Sequence, residues 1–294
     1  MSQQATLSAV GAIDAPLPVR ATPSFHVSSA IWAMPALVFL TAFFIIPLAA
    51  NITRSLPADN VFGFYLTLFT DPYYLDVVWQ TVKVSAITTV VCLLVGYPIS
   101  YFMVRFAGKW NSLIVFLLIA PLLTSIIMRT FGWTVLFARK GLVNTVLVGT
   151  GVLDKPVNMV NTEVMVYVGL VHVLVPFMVL SITSVLQGVN QSLEESAQIL
   201  GAGKLRTFLT VTFPLSVDGI ATGCILVFVL TNGSFLTMLL LGGGKVTTLS
   251  LLIYQQFTLT QNIGFAAAMG NVLLLFALIG MVIQLRFLRR KGVK

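Results

Sequence analysis

The chain has 294 residues, 57% of them hydrophobic and 9% charged, where a soluble protein carries about 25% charged residues. A mean hydropathy of +0.98 leaves too little polar side chain to clothe a water-soluble globule, and the same composition excludes disorder, a collagen-like fibre and a disulfide scaffold. The formal charge of +8 in so apolar a chain points to basic loops on one side of a membrane rather than to nucleic acid.

A bilayer core takes about 20 mostly apolar residues of helix to cross. Residues 1–30 are rich in Ala, Ser, Pro, Thr and Gln without helical period, and no basic segment leads into a cleavable apolar one, so a flexible tail is predicted there. The first span runs from Ile31 to about Ile52, with Pro35 and Pro47 near its ends. The second is predicted over Val84–Val104, interrupted by Gly96 and Pro98. The third covers Ser112–Met128, short unless Arg129 snorkels. The fourth, Val164–Gln187, contains His172 and Pro176; the fifth is Gly219–Leu241 and the sixth Ile263–Leu285. Three weaker apolar pieces, Val61–Phe69, Gly141–Leu153 and Val246–Phe257, are too short to cross; they read equally as interfacial or re-entrant segments and as packed loops. The last of them follows Gly242, Gly243 and Gly244, a natural break. No stretch alternates with period two, which argues against a β-barrel, and the Gly and Pro interruptions do not pair between two halves as in inverted repeats. Cys92 and Cys224 lie far apart in apolar runs and give neither a disulfide framework nor a metal site. The expectation is an all-α integral membrane protein with six spans over residues 31–288 and a basic tail over 289–294.

Arg286, Arg289, Arg290, Lys291 and Lys294 crowd the carboxyl end, which places it in the cytoplasm, and an even number of spans places the amino terminus there too. Arg105, Lys109, Lys204 and Arg206 fall on the same side. The other side holds Arg54, Lys83, Arg129, Arg139, Lys140, Lys155 and Lys245 against Asp59, Asp71, Asp76, Asp154 and Glu163, a surplus of two positive charges.

The most informative stretch is the loop 188–214, between the fourth and fifth spans. Ser192 followed three residues later by Glu195 has the form of a capping box, so a helix is predicted to begin there. Gly201 supplies a left-handed end two turns on. A second short helix over Lys204–Phe213 is expected to close at Pro214. A surface element with its own caps can move as a unit and press on something.

Glu195, Ser196 and Ala197, three residues, Gly201, nine residues, then Val211 to Pro214 resembles the EAA loop of the permease subunits of ABC importers, and Glu195 lies 99 residues before Lys294. Ser196 and Phe213 are mild departures that leave Glu, Gly and Pro in register. Gly96-Tyr97-Pro98, Pro176-Phe177-Met178, Leu241 to Gly244 and Ile253 to Phe257 are similar to the spermidine/putrescine permease branch. The resemblance implies a type I importer fold in a bacterial inner membrane. It implies as partners a dimer of ABC ATPases, a second permease subunit (a heterodimer ahead of a homodimer), an extracytoplasmic solute-binding protein and membrane lipid, with no nucleic acid. It implies ATPase coupling through Glu194, Glu195, Ala197, Gly201, Lys204 and Pro214. The chain has no Gly-x4-Gly-Lys-Ser/Thr phosphate loop, so ATP and Mg belong to the partner ATPase, and neither a catalytic residue nor a resident cofactor or metal is expected here. The implied solute is a small polar organic molecule, a polyamine first and an organic anion or zwitterion next, since the charge surplus on the outer side does not attract a polycation.

Polar groups inside apolar spans are candidate path residues. His172 is one, although an interhelical hydrogen bond is the favoured reading of it. Lys83 and Arg129 read as snorkelling ends. Asn232, Ser234 and Thr237 bring polarity to the middle of the fifth span, and Tyr254, Gln255 and Gln256 have the aromatic and amide groups of an outer gate; helix–helix hydrogen bonds explain the same residues. The rival classes are a secondary transporter or channel without ATPase, and a membrane enzyme, against which the absence of paired intramembrane carboxylates argues.

Overall fold

The structure, a computed structural model, describes residues 29–57 and 60–291; the expected tail over 1–28 and the last three residues of the basic end lie outside the described residues. Every regular element among the described residues is helical. The helices are α1 (Ser29–Leu40), α2 (Ile46–Arg54), α3 (Gly63–Thr70), α4 (Pro72–Arg105), α5 (Asn111–Leu123), α6 (Ile126–Phe137) and α7 (Leu142–Gly149). They continue as α8 (Glu163–Leu186), α9 (Gln191–Ile199), α10 (Lys204–Thr207), α11 (Phe213–Asn232), α12 (Phe235–Leu241), α13 (Leu249–Thr258) and α14 (Ile263–Lys291). Five uninterrupted helical stretches are long and apolar enough to cross a membrane, and a sixth if a pair bent by 100° counts as one. The chain divides into two units between Ala50 and Asn51.

The first unit is α1 and its continuation, a π-helical turn over Thr41–Ile45 that leads into α2. Its wide turn precedes Pro47, whose ring would collide with the carbonyl four residues back and which has no N–H to donate. Ile46 N–H reaches back five residues to Thr41 O, and the helix passes the proline without breaking.

In the second unit α4, α8 and α11 pack on one another around Val84, Cys92, Met178, Val179, Ile182, Leu186 and Val227. Gly219 and Gly223, four residues apart on α11, let it lie against α8: a Cβ on Gly219 would stand 2.9 Å from Ser181 O, and one on Gly223 2.6 Å from Met178 Sδ. Small residues at such spacing are how helices approach where lipid removes the hydrophobic drive. A second cluster joins Leu68 of α3, Val77 of α4, Leu249 and Leu252 of α13, and Phe265, Met269 and Val272 of α14. Beside it Asn271 donates to Ser55 Oγ at 3.0 Å and Tyr65 Oη at 2.9 Å, and accepts from Asn51 Nδ2 at 2.8 Å. The weak pieces of the sequence are thus real helices, α3, α7 and α13.

Four expectations need correction. The second span begins at Pro72, not Val84, with Asp71 capping it by accepting from Tyr73 N at 2.9 Å. The third, expected over Ser112–Met128, is broken: Thr124 and Ser125 are extended, with ψ of 143° and 140°, and the chain turns by 100° into α6. Arg129 therefore does not end a straight span; its Nη2 donates to Thr124 O, a carbonyl the break sets free, at 2.9 Å. The fifth span is not Gly219–Leu241 but Lys204–Asn232, followed by a break at Gly233 and the separate α12. Pro214 does not close a short helix. A π turn over Phe208–Thr212 precedes it, as one precedes Pro47, and Phe213 N–H reaches Phe208 O.

Candidate functional site

The loop 188–214 is built from its ends inward. Asn190, not Ser192, caps α9, its side chain accepting from Ser192 N at 3.0 Å. The capping box is not formed: Glu195 instead accepts from Gln191 Nε2 at 3.1 Å, one turn along the exposed face. The far end of α9 follows the glycine signal. Gly201 has φ of +90°, Gly201 N donates to Gln198 O and Ala202 N to Ala197 O, both at 3.0 Å, the pair of bonds that closes a helix at a left-handed glycine.

The underside of α9 is pinned. Glu194 is 7% exposed, and its Oε1 accepts from Arg105 Nη2 at 2.8 Å, Arg105 Nε at 3.1 Å and Thr212 Oγ1 at 3.0 Å. Arg105 is the last residue of α4, and its Nη2 also donates to Val189 O at 3.2 Å. Charge-assisted bonds of this kind are the strong ones. One turn away Tyr97 Oη and Ser216 Oγ are 2.9 Å apart, and the Tyr97 and Tyr101 rings meet Phe208 edge-on at 5.5 and 5.6 Å. The upper side is open. Ile199, Leu200 and Leu205 are 86%, 88% and 73% exposed, and Glu195, Gly201 and Lys204 are exposed beside them, with Ala197 half-buried. Together Ile199, Leu200 and Leu205 form an apolar tip on a capped, anchored helix, the kind of exposed patch that marks a protein or membrane contact. Glu194, grouped with the outward coupling positions by sequence, is turned inward, because an isolated carboxylate beside the end of an apolar helix is best placed on that helix's terminal arginine. Pro214 is exposed at the second position of α11.

The candidate path residues do not converge on one site. Asn232, 4% exposed, accepts from Ser85 Oγ of α4 at 2.8 Å, and its Nδ2 has no hydrogen-bond partner among the described residues. Thr237 faces α8, where a Cβ on Gly169 would lie 3.4 Å from its methyl. Ser234 folds back onto Leu230 O at 2.8 Å. Tyr254 stacks on Phe235 at 5.1 Å, Gln256 accepts from Thr260 Oγ1 at 2.8 Å, and Gln255 is half-buried. His172 belongs elsewhere: it meets Trp133 of α6 edge-on at 5.1 Å and lines an apolar cavity of about 530 Å³ with Leu117, Val168 and Val175. Lys83 does not simply snorkel; it pairs with Glu163 at 3.7 Å.

Sequence reading missed Arg105 and Thr212 as partners of Glu194, 89 and 18 residues away, since nothing local announces such a pairing. It also passed over Ile199 and Leu200, whose polar surroundings in an otherwise apolar chain were the available signal.

No family model matches the chain. The chain is similar to the spermidine/putrescine transport system permease protein PotB of Haemophilus influenzae, 37% identical over 217 residues that cover 73% of this chain and 76% of that protein. The protein of the same name from Escherichia coli K12 is 36% identical over 202 residues, covering 69% of this chain and 74% of its own. In fold it is similar to a chain of a bacterial alginate ABC transporter, crystallised in complex with an alginate pentasaccharide-bound periplasmic protein, with a TM-score of 0.75 at 19% identity, covering 89% of this chain and 94% of the other.

Proposed function

Because the chain belongs to the spermidine/putrescine permease family of ABC importers, with the type I permease fold, we propose that it forms one side of the path by which a polyamine enters the cell, in the inner membrane of a bacterium. The loop 188–214 and both chain termini face the cytoplasm. There α9 docks on one subunit of an ABC ATPase dimer that binds ATP and Mg, and a second permease, most simply a different chain, completes the path. A solute-binding protein delivers the polyamine from the opposite side.

The observation that carries the coupling reading is the anchored helix α9 with Ile199, Leu200 and Leu205 bare at its tip. Apolar side chains so exposed at the polar end of a membrane protein gain by burial in a partner's groove. Glu195, on the same exposed face, offers the groove a charge, and Gly201 allows close approach. Closure of the ATPases on ATP then biases the permease between inward-open and outward-open states, with solute and ATP each favouring one of them.

The polyamine reading leans on the relatives at 36–37% identity; the aromatic pair Phe235–Tyr254 gives a cation a π face to cross. Radiolabelled spermidine and putrescine uptake in cells with and without the gene tests it. Loss of both uptakes on deletion is expected. Unchanged uptake of both, with loss of an organic anion or zwitterion instead, transfers the reading to that class.

A further inference from the structure

We infer that the buried cluster of Arg105, Glu194 and Thr212 is the joint through which a displacement of α9 enters the spanning helices, with Arg105 and Glu194 as positioning residues. The inference rests on the coupling reading above and names the part of this chain that carries it.

Glu194 lies in the middle of α9, about one and a half turns before the bare Ile199 and Leu200. Its Oε1 gathers donors from two other elements: Arg105, the last residue of α4, and Thr212, the last residue of the π turn before α11. Both α4 and α11 belong to the packed trio with α8. Arg105 also holds Val189 O, in the chain that leads into α9. A shift of α9 therefore pulls on α4 and α11 together. The side chains of Arg105 and Glu194 are 8% and 9% exposed, and a buried carboxylate cannot leave its guanidinium without stranding a charge in low dielectric. The pair yields little, so motion is passed on instead of being absorbed.

What receives the motion is built to respond. Thr212 closes the turn in which Phe213 N–H bonds to Phe208 O, five residues back, and such a widened turn marks a place where a helix bends at low cost. Immediately beyond it, Tyr97 holds Ser216 and its ring packs on Phe208 and Phe213, so the start of α11 and the end of α4 move as one piece.

The test uses the complex of this chain with its ATPase, its second permease and its binding protein, purified and placed in lipid nanodiscs, with spermidine-loaded binding protein as the stimulus. Removing one member of a buried pair can unfold the site, so the informative variant is the double change Arg105→Met/Glu194→Leu, which keeps volume and strands no charge. The complex is expected to hold its ATPase while the ratio of stimulated to basal hydrolysis falls by about tenfold, within the range of typical coupling energies. Thr212→Val, which removes one donor and keeps shape, lowers the ratio in the same direction by less. A ratio within about twofold of the unaltered complex, in assembled Arg105→Met/Glu194→Leu, overturns the joint. Loss of the ATPase from that variant overturns it too, because the pair then merely holds the docking surface in place. An unaltered complex whose hydrolysis ignores the loaded binding protein removes the coupling reading itself, a separate result.

Discussion

Among the described residues two ion pairs tie α4 to the chain that follows it, and they are built differently. At the loop end Arg105 and Glu194 stand 2.8 Å apart with side chains 8% and 9% exposed, and Thr212 and Val189 complete the cluster. Toward the other end Lys83 and Glu163 stand 3.7 Å apart with side chains 39% and 45% exposed, and Gln80 reaches the same carboxylate at 3.4 Å. The first is desolvated and closely bonded, the second solvated and held by two longer contacts. Near the second, α11 gives way at Gly233, and the amide nitrogen of Asn232 has no hydrogen-bond partner among the described residues. On the coupling reading the division has a use: the buried pair passes a displacement of α9 on to its neighbours, while the solvated pair is a contact that water can replace.

The largest effect should follow from cutting the buried pair on one side only. Glu194→Ala leaves Arg105 buried and unpaired, and a loss of about 3–5 kcal/mol is expected for such a change. It should show as low yield and early thermal unfolding of the purified complex, and an unfolding temperature equal to the unaltered protein's would show the pair to be dispensable. Next in size are Gly201→Asp and Glu195→Lys. Gly201 sits at φ +90° with open space around it, so a side chain strains the backbone by about 1–2 kcal/mol and occupies the docking face. Glu195 caps nothing, so its replacement by Lys reverses a charge on that face and leaves α9 folded. Both variants should insert at near-normal levels and lose solute-stimulated ATP hydrolysis in the purified complex; retention of wild-type stimulation in both would take the coupling role away from α9.

Smaller again is Asn190→Ala, which removes the cap of α9 and costs about 1 kcal/mol. Faster amide hydrogen exchange confined to residues 191–195 should reveal it, and an unchanged exchange rate there would contradict the cap. The smallest is Lys83→Ala. An exposed pair contributes about 0.2–1 kcal/mol, so its removal should move the unfolding temperature far less than Glu194→Ala does. An equal shift from the two variants would erase the contrast between the two ends.

Much of this was legible in the residues, and most of the failures share a cause. Apolar runs long enough to cross a bilayer located α8 to within a turn, whereas α4 begins at Pro72, about three turns before the expected start. Gly201 announced its left-handed turn because few other residues tolerate one. The EAA-like spacing located α9 and marked the loop that carries the anchored tip. Most of what stayed hidden depends on partners distant in sequence. Asn190 and Ser192 are equally good caps in isolation; Arg105 holding Val189 O fixes the chain so that the earlier one is used. Pro214 has the local signature of a helix stop, and the π turn that carries the helix past it is stabilised by the Tyr97, Phe208 and Phe213 rings. The break at Thr124 and Ser125 is local and has no glycine at its corner to announce it; the Thr124 carbonyl is taken up by the Arg129 side chain. The path residues scatter for the same reason, since an apolar helix carries little sign of which neighbour each face meets.

The claim that α9 is where this permease meets its ATPase is tested most directly at the tip. Ile199→Ser/Leu200→Ser alters two side chains that touch little of their own chain, at 86% and 88% exposure, so the permease itself should insert and unfold as before. When the complex is purified through a tag on this chain, the account predicts that the variant brings down little or no ATPase while the unaltered chain brings down its full complement. Recovery of the ATPase in equal amount with both would contradict it.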